Sequence, residues 1–195
     1  MNPFNIYLSG VGGQGIGLLS EIILRAADHA GYTVKAVDTH GLAQRGGIVV
    51  SQIRMGGQVH TPLLPTNAAD LVVSLERHEA LRALNRAASD GGTLIYYNTV
   101  WQPLDVRLGA AAEVAGDTIQ SQCKARKIRL IEVYKPDLPD TRMQNIVLLS
   151  HIHREYLIPD IDLEHYRQAM EDLMAGGMLQ ANIELFESLI RWENR

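Results

Sequence analysis

Asn5-Ile6-Tyr7-Leu8-Ser9-Gly10-Val11-Gly12-Gly13-Gln14-Gly15 is the stretch on which the fold turns. It reads as a short buried strand ending near Gly10, then a glycine-rich turn, then a helix from Ile16 to Ala30. Apolar residues at Ile16, Leu19, Ile22, Ile23, Ala26, Ala27 and Ala30 recur at the spacing of one helix face. Gly31 follows as a stop. Glycine at Gly10, Gly12, Gly13 and Gly15 lets the backbone take positive φ and approach a ligand closely. The first amides of the helix lack internal acceptors and lie at the positive end of its dipole, so an anion is favoured there.

Gly10 to Gly15 also fits the dinucleotide pattern G-x-G-x-x-G. Asp38 ends the next apolar segment, Thr33 to Asp38, about where a ribose-binding acid would sit. A free-standing Rossmann-like NAD(P)-binding domain is therefore one reading. The following stretch does not suit it. A polar loop, Thr39 to Gly47, stands where a crossover helix would be expected. Ile48 to Arg54 then reads as a strand, and Gly56-Gly57 as a hairpin turn into Gln58-Val59-His60. Antiparallel pairing there makes the sheet mixed.

The 195 residues, 46% hydrophobic, suit one compact domain with a substantial core. A net charge of −4 without a dense basic run gives no general attraction for nucleic acid. No apolar segment is long enough to span a membrane and no secretory leader is recognisable, so a cytoplasmic protein is expected. The one cysteine, Cys123, cannot form an internal disulfide or hold an iron–sulfur cluster. No Cys/His set has zinc spacing, and no nucleophile–base–acid set or carboxylate pair is evident. Metal and catalytic residues are expected to be absent.

Further strands are read at Asp70 to Glu76, Thr93 to Tyr97 and Ile128 to Tyr134. A helix is read at Arg77 to Ala88, stopped by Asp90-Gly91-Gly92, and another at Thr118 to Lys127, capped by Asp117. Trp101 to Ala115 reads as loop and short strand. Three helices make the tail: Met143 to Leu157, Asp162 to Met174, and Met178 to Trp192 after an interruption at Gly176-Gly177. If the strands run parallel, the glycine turn, Glu76 and Asn98 border one crevice beyond their carboxyl ends. In Gln44-Arg45-Gly46-Gly47 the glycines leave the guanidinium room to reach an anion.

Taken together, GVGGQG before a helix and Gly41-Leu42-Ala43-Gln44-Arg45-Gly46-Gly47 before a strand ending in Ile53-Arg54 resemble the gamma component of 2-oxoacid:ferredoxin oxidoreductases. The wording from His40 to Gly47 is most similar to the small (beta) subunit of indolepyruvate:ferredoxin oxidoreductase. The resemblance continues through Ala69 to Val72, Glu76 to Arg82 and Asn145 to Leu148. It departs at Ser150, where a family glycine is expected. It implies a three-layer α/β/α fold with a mostly parallel, mixed sheet and a helical C-terminal tail. It implies a subunit of an enzyme that decarboxylates a 2-oxoacid oxidatively, an aryl pyruvate in the nearest case, forms acyl-coenzyme A and passes electrons to ferredoxin. Thiamine diphosphate, iron–sulfur clusters and coenzyme A then belong to the assembled complex, the first two held mainly by larger partner chains. On this resemblance Gly10, Gly12, Gly13, Gln14, Gly15, Gln44, Arg45, Gly46, Gly47 and Asn98 are the candidate cofactor-binding residues. Two other readings stay open: the NAD(P)-binding domain, and a purely structural assembly subunit.

Overall fold

A computed structural model describes residues 3–39, 47–57, 59–101, 106, 108–110 and 112–191. The chain forms a six-stranded sheet. In sequence the strands are β1 (Phe4–Val11), β2 (Val34–Thr39), β3 (Ile48–Met55), β4 (Ala69–Ser74), β5 (Ala88–Tyr97) and β6 (Arg129–Val133). In space the order is β2-β3-β1-β4-β5-β6. β4, β5 and β6 follow β1 in parallel, whereas β3 runs antiparallel to both β1 and β2.

β1 lies at the centre because its apolar run is buried on both faces from Ile6 onward. On one face pack α1 (Ile16–His29), α4 (Gln144–Arg154), α5 (Leu163–Leu173) and α6 (Gly176–Arg191). The other face is covered by α2 (Arg77–Arg86) and α3 (Gly116–Ala125). The result is the expected three-layer α/β/α arrangement with a mixed, mostly parallel sheet and a helical tail. α1 buries the predicted stripe, Ile16, Leu19, Ile22, Ile23, Ala26 and Ala27, and Gly31 takes φ +82° just beyond it.

Four local expectations are corrected. The sheet is mixed through β3, not through a hairpin at Gly56-Gly57. Both edges of β3 are already paired, with β1 and β2, so Val59 and His60 find no free edge. Asp90-Gly91-Gly92 does not end α2. It lies inside β5, where the register against β4 shifts and Gly91 takes φ +78°. Asp117 is not the cap of α3. That position falls to Ala115, and Asp117 sits in the first turn, where its charge faces the helix dipole. Gly176-Gly177 opens α6 rather than interrupting the tail. Among the described residues of 101–115 there is no strand.

β1 leads into α1 on one face and β4 into α2 on the other, so the sheet's topological switch falls between β1 and β4. Small polar residues close this junction. Ser9 Oγ donates to Ser74 Oγ (3.1 Å), Ser74 Oγ to the Glu76 carbonyl (3.0 Å), and Leu75 N to the Ser9 carbonyl (2.9 Å).

Candidate functional site

The glycine turn sits at this switch. Gly13 (φ +105°) and Gly15 (φ +83°) occupy left-handed backbone. A Cβ at Gly15 would meet Asn145 Nδ2 at 2.6 Å, so glycine there is required on two counts. Gly12 N donates to the Gly47 carbonyl (2.8 Å), tying the turn to the start of β3. Gln14 is wholly buried. Its Oε1 accepts from Val11 N (2.7 Å) and its Nε2 donates to the Leu75 carbonyl (2.8 Å), clipping the turn to the end of β4. Asn145, at the start of α4, reaches the Gly15 carbonyl through Nδ2 (3.3 Å).

α1 begins at this turn without a side-chain cap and without an acid in its first turn. Its first amides therefore lack intrahelical acceptors and side-chain relief. α2 and α5 differ: Glu76 and Asp162 cap them. Two cavities meet at the turn. One, of about 430 Å³, is walled by Val11 to Gly13, Gly15 to Gly17, Val49 and Arg142. The other, of about 480 Å³, lies between the turn, residues 139–145 and Met178, Ala181 and Asn182 of α6. Arg142 borders both. Its Nε approaches both Asp140 carboxylate oxygens (3.1 and 3.0 Å) and its terminal nitrogen one of them (2.6 Å). The guanidinium holds the Asp140 carboxyl below its usual range. The site thus offers amides, an exposed arginine paired with Asp140 and apolar walls, a setting for an anion that carries apolar bulk and competes with Asp140 for the guanidinium.

A second cluster lies behind the turn. Glu76, fully buried, accepts from Glu79 N (2.9 Å), from His78 Nδ1 (2.8 Å) and from Trp101 N (3.3 Å). Val114 N donates to His78 Nε2 (3.1 Å). That bond makes Nε2 an acceptor and turns Nδ1 toward Glu76. Glu79, also buried, has its pKa pushed up to about 7, chiefly by loss of water; Arg82 opposes the rise and Glu76 adds to it. The folded chain therefore holds the Glu79 proton more tightly than the unfolded one. The favourable contribution is complete below about pH 4.5 and is lost as pH rises toward about 7. Glu79→Gln is expected to flatten the dependence of Tm on pH across that window. Thermal melts at closely spaced pH values check this, and an unchanged slope rejects it.

Residues 5–192 match the pyruvate ferredoxin/flavodoxin oxidoreductase family. The chain belongs to that family. It is 34% identical over 188 residues to the indolepyruvate oxidoreductase subunit IorB of Archaeoglobus fulgidus, covering 92% of this chain and 90% of that one. Its fold is similar to the gamma subunit of a keto/oxoacid ferredoxin oxidoreductase from Geobacter sulfurreducens, with a TM-score of 0.63, 19% identity and 96% of each chain covered. It is also similar to part of the 2-oxoglutarate:ferredoxin oxidoreductase of Magnetococcus marinus, solved with 2-oxoglutarate, coenzyme A and succinyl-CoA bound. There the TM-score is 0.68 and the identity 16%, over 98% of this chain and 31% of that one.

Within this member of the oxidoreductase family, the expected site residues fall into three groups. Gly12, Gly13 and Gly15 line the cavity, whereas Gly10 packs against Ile16 and Gln14 is committed to the backbone. Gly47 holds Gly12, while Gln44, Arg45 and Gly46 lie outside the described residues. Asn98 stands at the same sheet end, but its amide is engaged by Arg77 Nε (2.7 Å) and Glu132 Oε1 (2.6 Å). Sequence reasoning missed Arg142, Asn145 and Trp101. Asn145 opens the apolar run already noted in the tail, but nothing local marks its reach to Gly15.

Asp38 does not behave as a ribose ligand. β3 lies between β2 and β1, placing Asp38 two strands, roughly 10 Å, from the β1 turn. Its Oδ1 accepts from Ser51 Oγ and, at 3.4 Å, from Ser20 Oγ. No group of three or more His, Cys, Asp or Glu residues among those described could hold a metal ion. Cys123 is buried on α3 with its thiol pushed up to about 11, so this donor set does not fit an iron–sulfur cluster.

Proposed function

We infer that the chain, as one domain over residues 1–195, is the small subunit of a 2-oxoacid:ferredoxin oxidoreductase and contributes the glycine-turn face to an active site completed by a larger partner chain. The observation that carries this reading is the pairing of an uncapped α1 with Arg142 across one cavity, with no metal-holding group among the described residues. The length of the Magnetococcus relative, in which this fold is about a third of one polypeptide, supports a division of labour. The partner carries thiamine diphosphate, which supplies the carbanion chemistry, and the iron–sulfur clusters that pass electrons to ferredoxin. This chain's groups bind and orient. The α1 amides and Arg142 hold an anionic part of the 2-oxoacid or coenzyme A, with Arg45, two positions before Gly47 in the sequence, as a second cation. The relationship to IorB favours an aryl pyruvate as substrate. No helix among the described residues is long and apolar enough to cross a membrane, which is compatible with a cytoplasmic complex.

The test is co-expression with the larger subunit, followed by steady-state kinetics on a 2-oxoacid panel. Arg142→Ala and Arg45→Ala are each expected to raise the KM of an anionic reactant on the order of tenfold, near the low end of what a hydrogen bond to a charged group contributes. The complex should still assemble. Unchanged constants in both variants would leave only a structural assembly role for the chain.

A further inference from the structure

We propose that Trp101 is a ligand-contacting residue of the glycine-turn site, its indole set against Gly13 by the buried carboxylate of Glu76, and that it receives the flat aromatic part of an anionic ligand. The proposal rests on the shared-site reading above and adds the ligand class to it.

Gly13 is the exposed member of the turn, and a Cβ placed on it would meet the Trp101 ring at 3.8 Å. The indole therefore stands beside Gly13, a residue that lines both cavities. It is still 38% exposed, although tryptophan in a folded chain is highly buried on average. A large apolar surface thus remains open beside amides and a cation.

Its placement is held from behind. Glu76 Oε1 accepts from Trp101 N while also holding His78, and the other oxygen caps α2. The next residue, Arg77, donates from N to the Thr99 carbonyl (3.0 Å) and from its guanidinium to Asn98 Oδ1 and the Val114 carbonyl. His78 then accepts from Val114 N. Three consecutive residues at the start of α2 thereby grip the chain at Thr99 and Trp101 on one side and at Val114 on the other. A helix cap alone needs only a short acceptor such as Asp or Ser. The longer Glu76 reaches the Trp101 amide as well.

The turn, α1 and Arg142 select for negative charge, and the indole face selects for a planar π system. A flat aromatic group joined to an anion meets both. Two reactants of the proposed enzyme have that chemistry: an aryl 2-oxoacid, and the adenine nucleotide end of coenzyme A.

The experiment uses the assembled complex with Trp101→Ala, Trp101→Phe and Trp101→Leu. KM and kcat are measured for an aryl pyruvate against an aliphatic 2-oxoacid, and for coenzyme A against phosphopantetheine, which lacks the adenine. Trp101→Ala is expected to raise KM about three- to tenfold, the worth of an aromatic contact, for one aromatic reactant only, with a smaller change in kcat. The arm that moves names the source. Phe should restore most of the loss and Leu little of it. Glu76→Gln, as the positioning variant, is expected to raise the same KM and to add nothing to Trp101→Ala. The proposal is overturned if neither KM moves, if aromatic and non-aromatic partners shift alike, or if Leu rescues as well as Phe. Its fate is separate from that of the shared anion site. Loss at Arg142 and Arg45 with none at Trp101 removes this inference alone, and the opposite pattern removes the anion reading alone.

Discussion

Replacing Gln14 with alanine is expected to lower stability by roughly 2–4 kcal/mol and to take turnover with it. The side chain has no exposure, and both ends of its amide serve backbone groups at the sheet's switch point. Without it, Val11 N and the Leu75 carbonyl are left buried and unpaired, each at about 1–3 kcal/mol. A chain of this length loses about 2–4 °C of Tm per kcal/mol, so a fall of roughly 5–15 °C is expected in thermal melts. Gln14→Glu separates volume from bonding. It keeps the acceptor for Val11 N but sets a carboxylate oxygen against the Leu75 carbonyl, so it should be no better than alanine at neutral pH. A melting point within about a degree of the parent for Gln14→Ala would show that the clip carries nothing. The turn amides, Gly13 and the start of α1 depend on this clip for their position, so activity should fall even in the folded fraction.

Gln14 also marks the limit of what the sequence discloses. The G-x-G-x-x-G spacing correctly indicates a strand, a turn and a helix, because local backbone demands at Gly13 and Gly15 act over a few residues. It says nothing of which turn residues face a ligand. That depends on Leu75, sixty-one positions away, and on Asn145, further still. The same distinction explains β3. Its alternating burial is legible in Ile48 to Met55, but its insertion between β1 and β2 is a pairing choice between distant segments. That choice moves Asp38 away from the turn and separates this fold from a dinucleotide-binding one despite the matching motif. The helix at Arg77 was legible and its cap was not, since Glu76 reads as the tail of an apolar strand. Ser150, an expected glycine, fits the interior of α4 without strain, its hydroxyl donating to the Val147 carbonyl (2.8 Å). The residues that complete the candidate site, Arg142, Asn145 and Trp101, come from loops and helix starts whose spatial neighbours no local pattern encodes.

Phe186→Ala is expected to produce the largest loss of stability, roughly 3–5 kcal/mol, and to act mainly on one wall of the candidate site. On α6 only Phe186 is fully buried, while Asn182 keeps some exposure, so Phe186 is its chief anchor. The ring packs edge-on to Tyr166 of α5 (centroids 5.9 Å apart) and tilted against His153 of α4 (6.1 Å). Removing it opens a cavity among three helices, the costliest kind of core truncation. By the same scaling Tm should fall by roughly 6–20 °C. The preceding turns of α6 carry Met178, Ala181 and Asn182, which wall the cavity beside Gly13, Gly15 and Arg142. β1 and β4 pack against α1 and α2, whereas α6 packs chiefly against α4. Hydrogen exchange on the variant should therefore show α6 amides opening at far lower free energy than those of β1 and β4, with ligand affinity lost in step with α6. Exchange at one common free energy throughout would instead make α6 part of the global cooperative unit, and the site wall would then be only as mobile as the sheet itself.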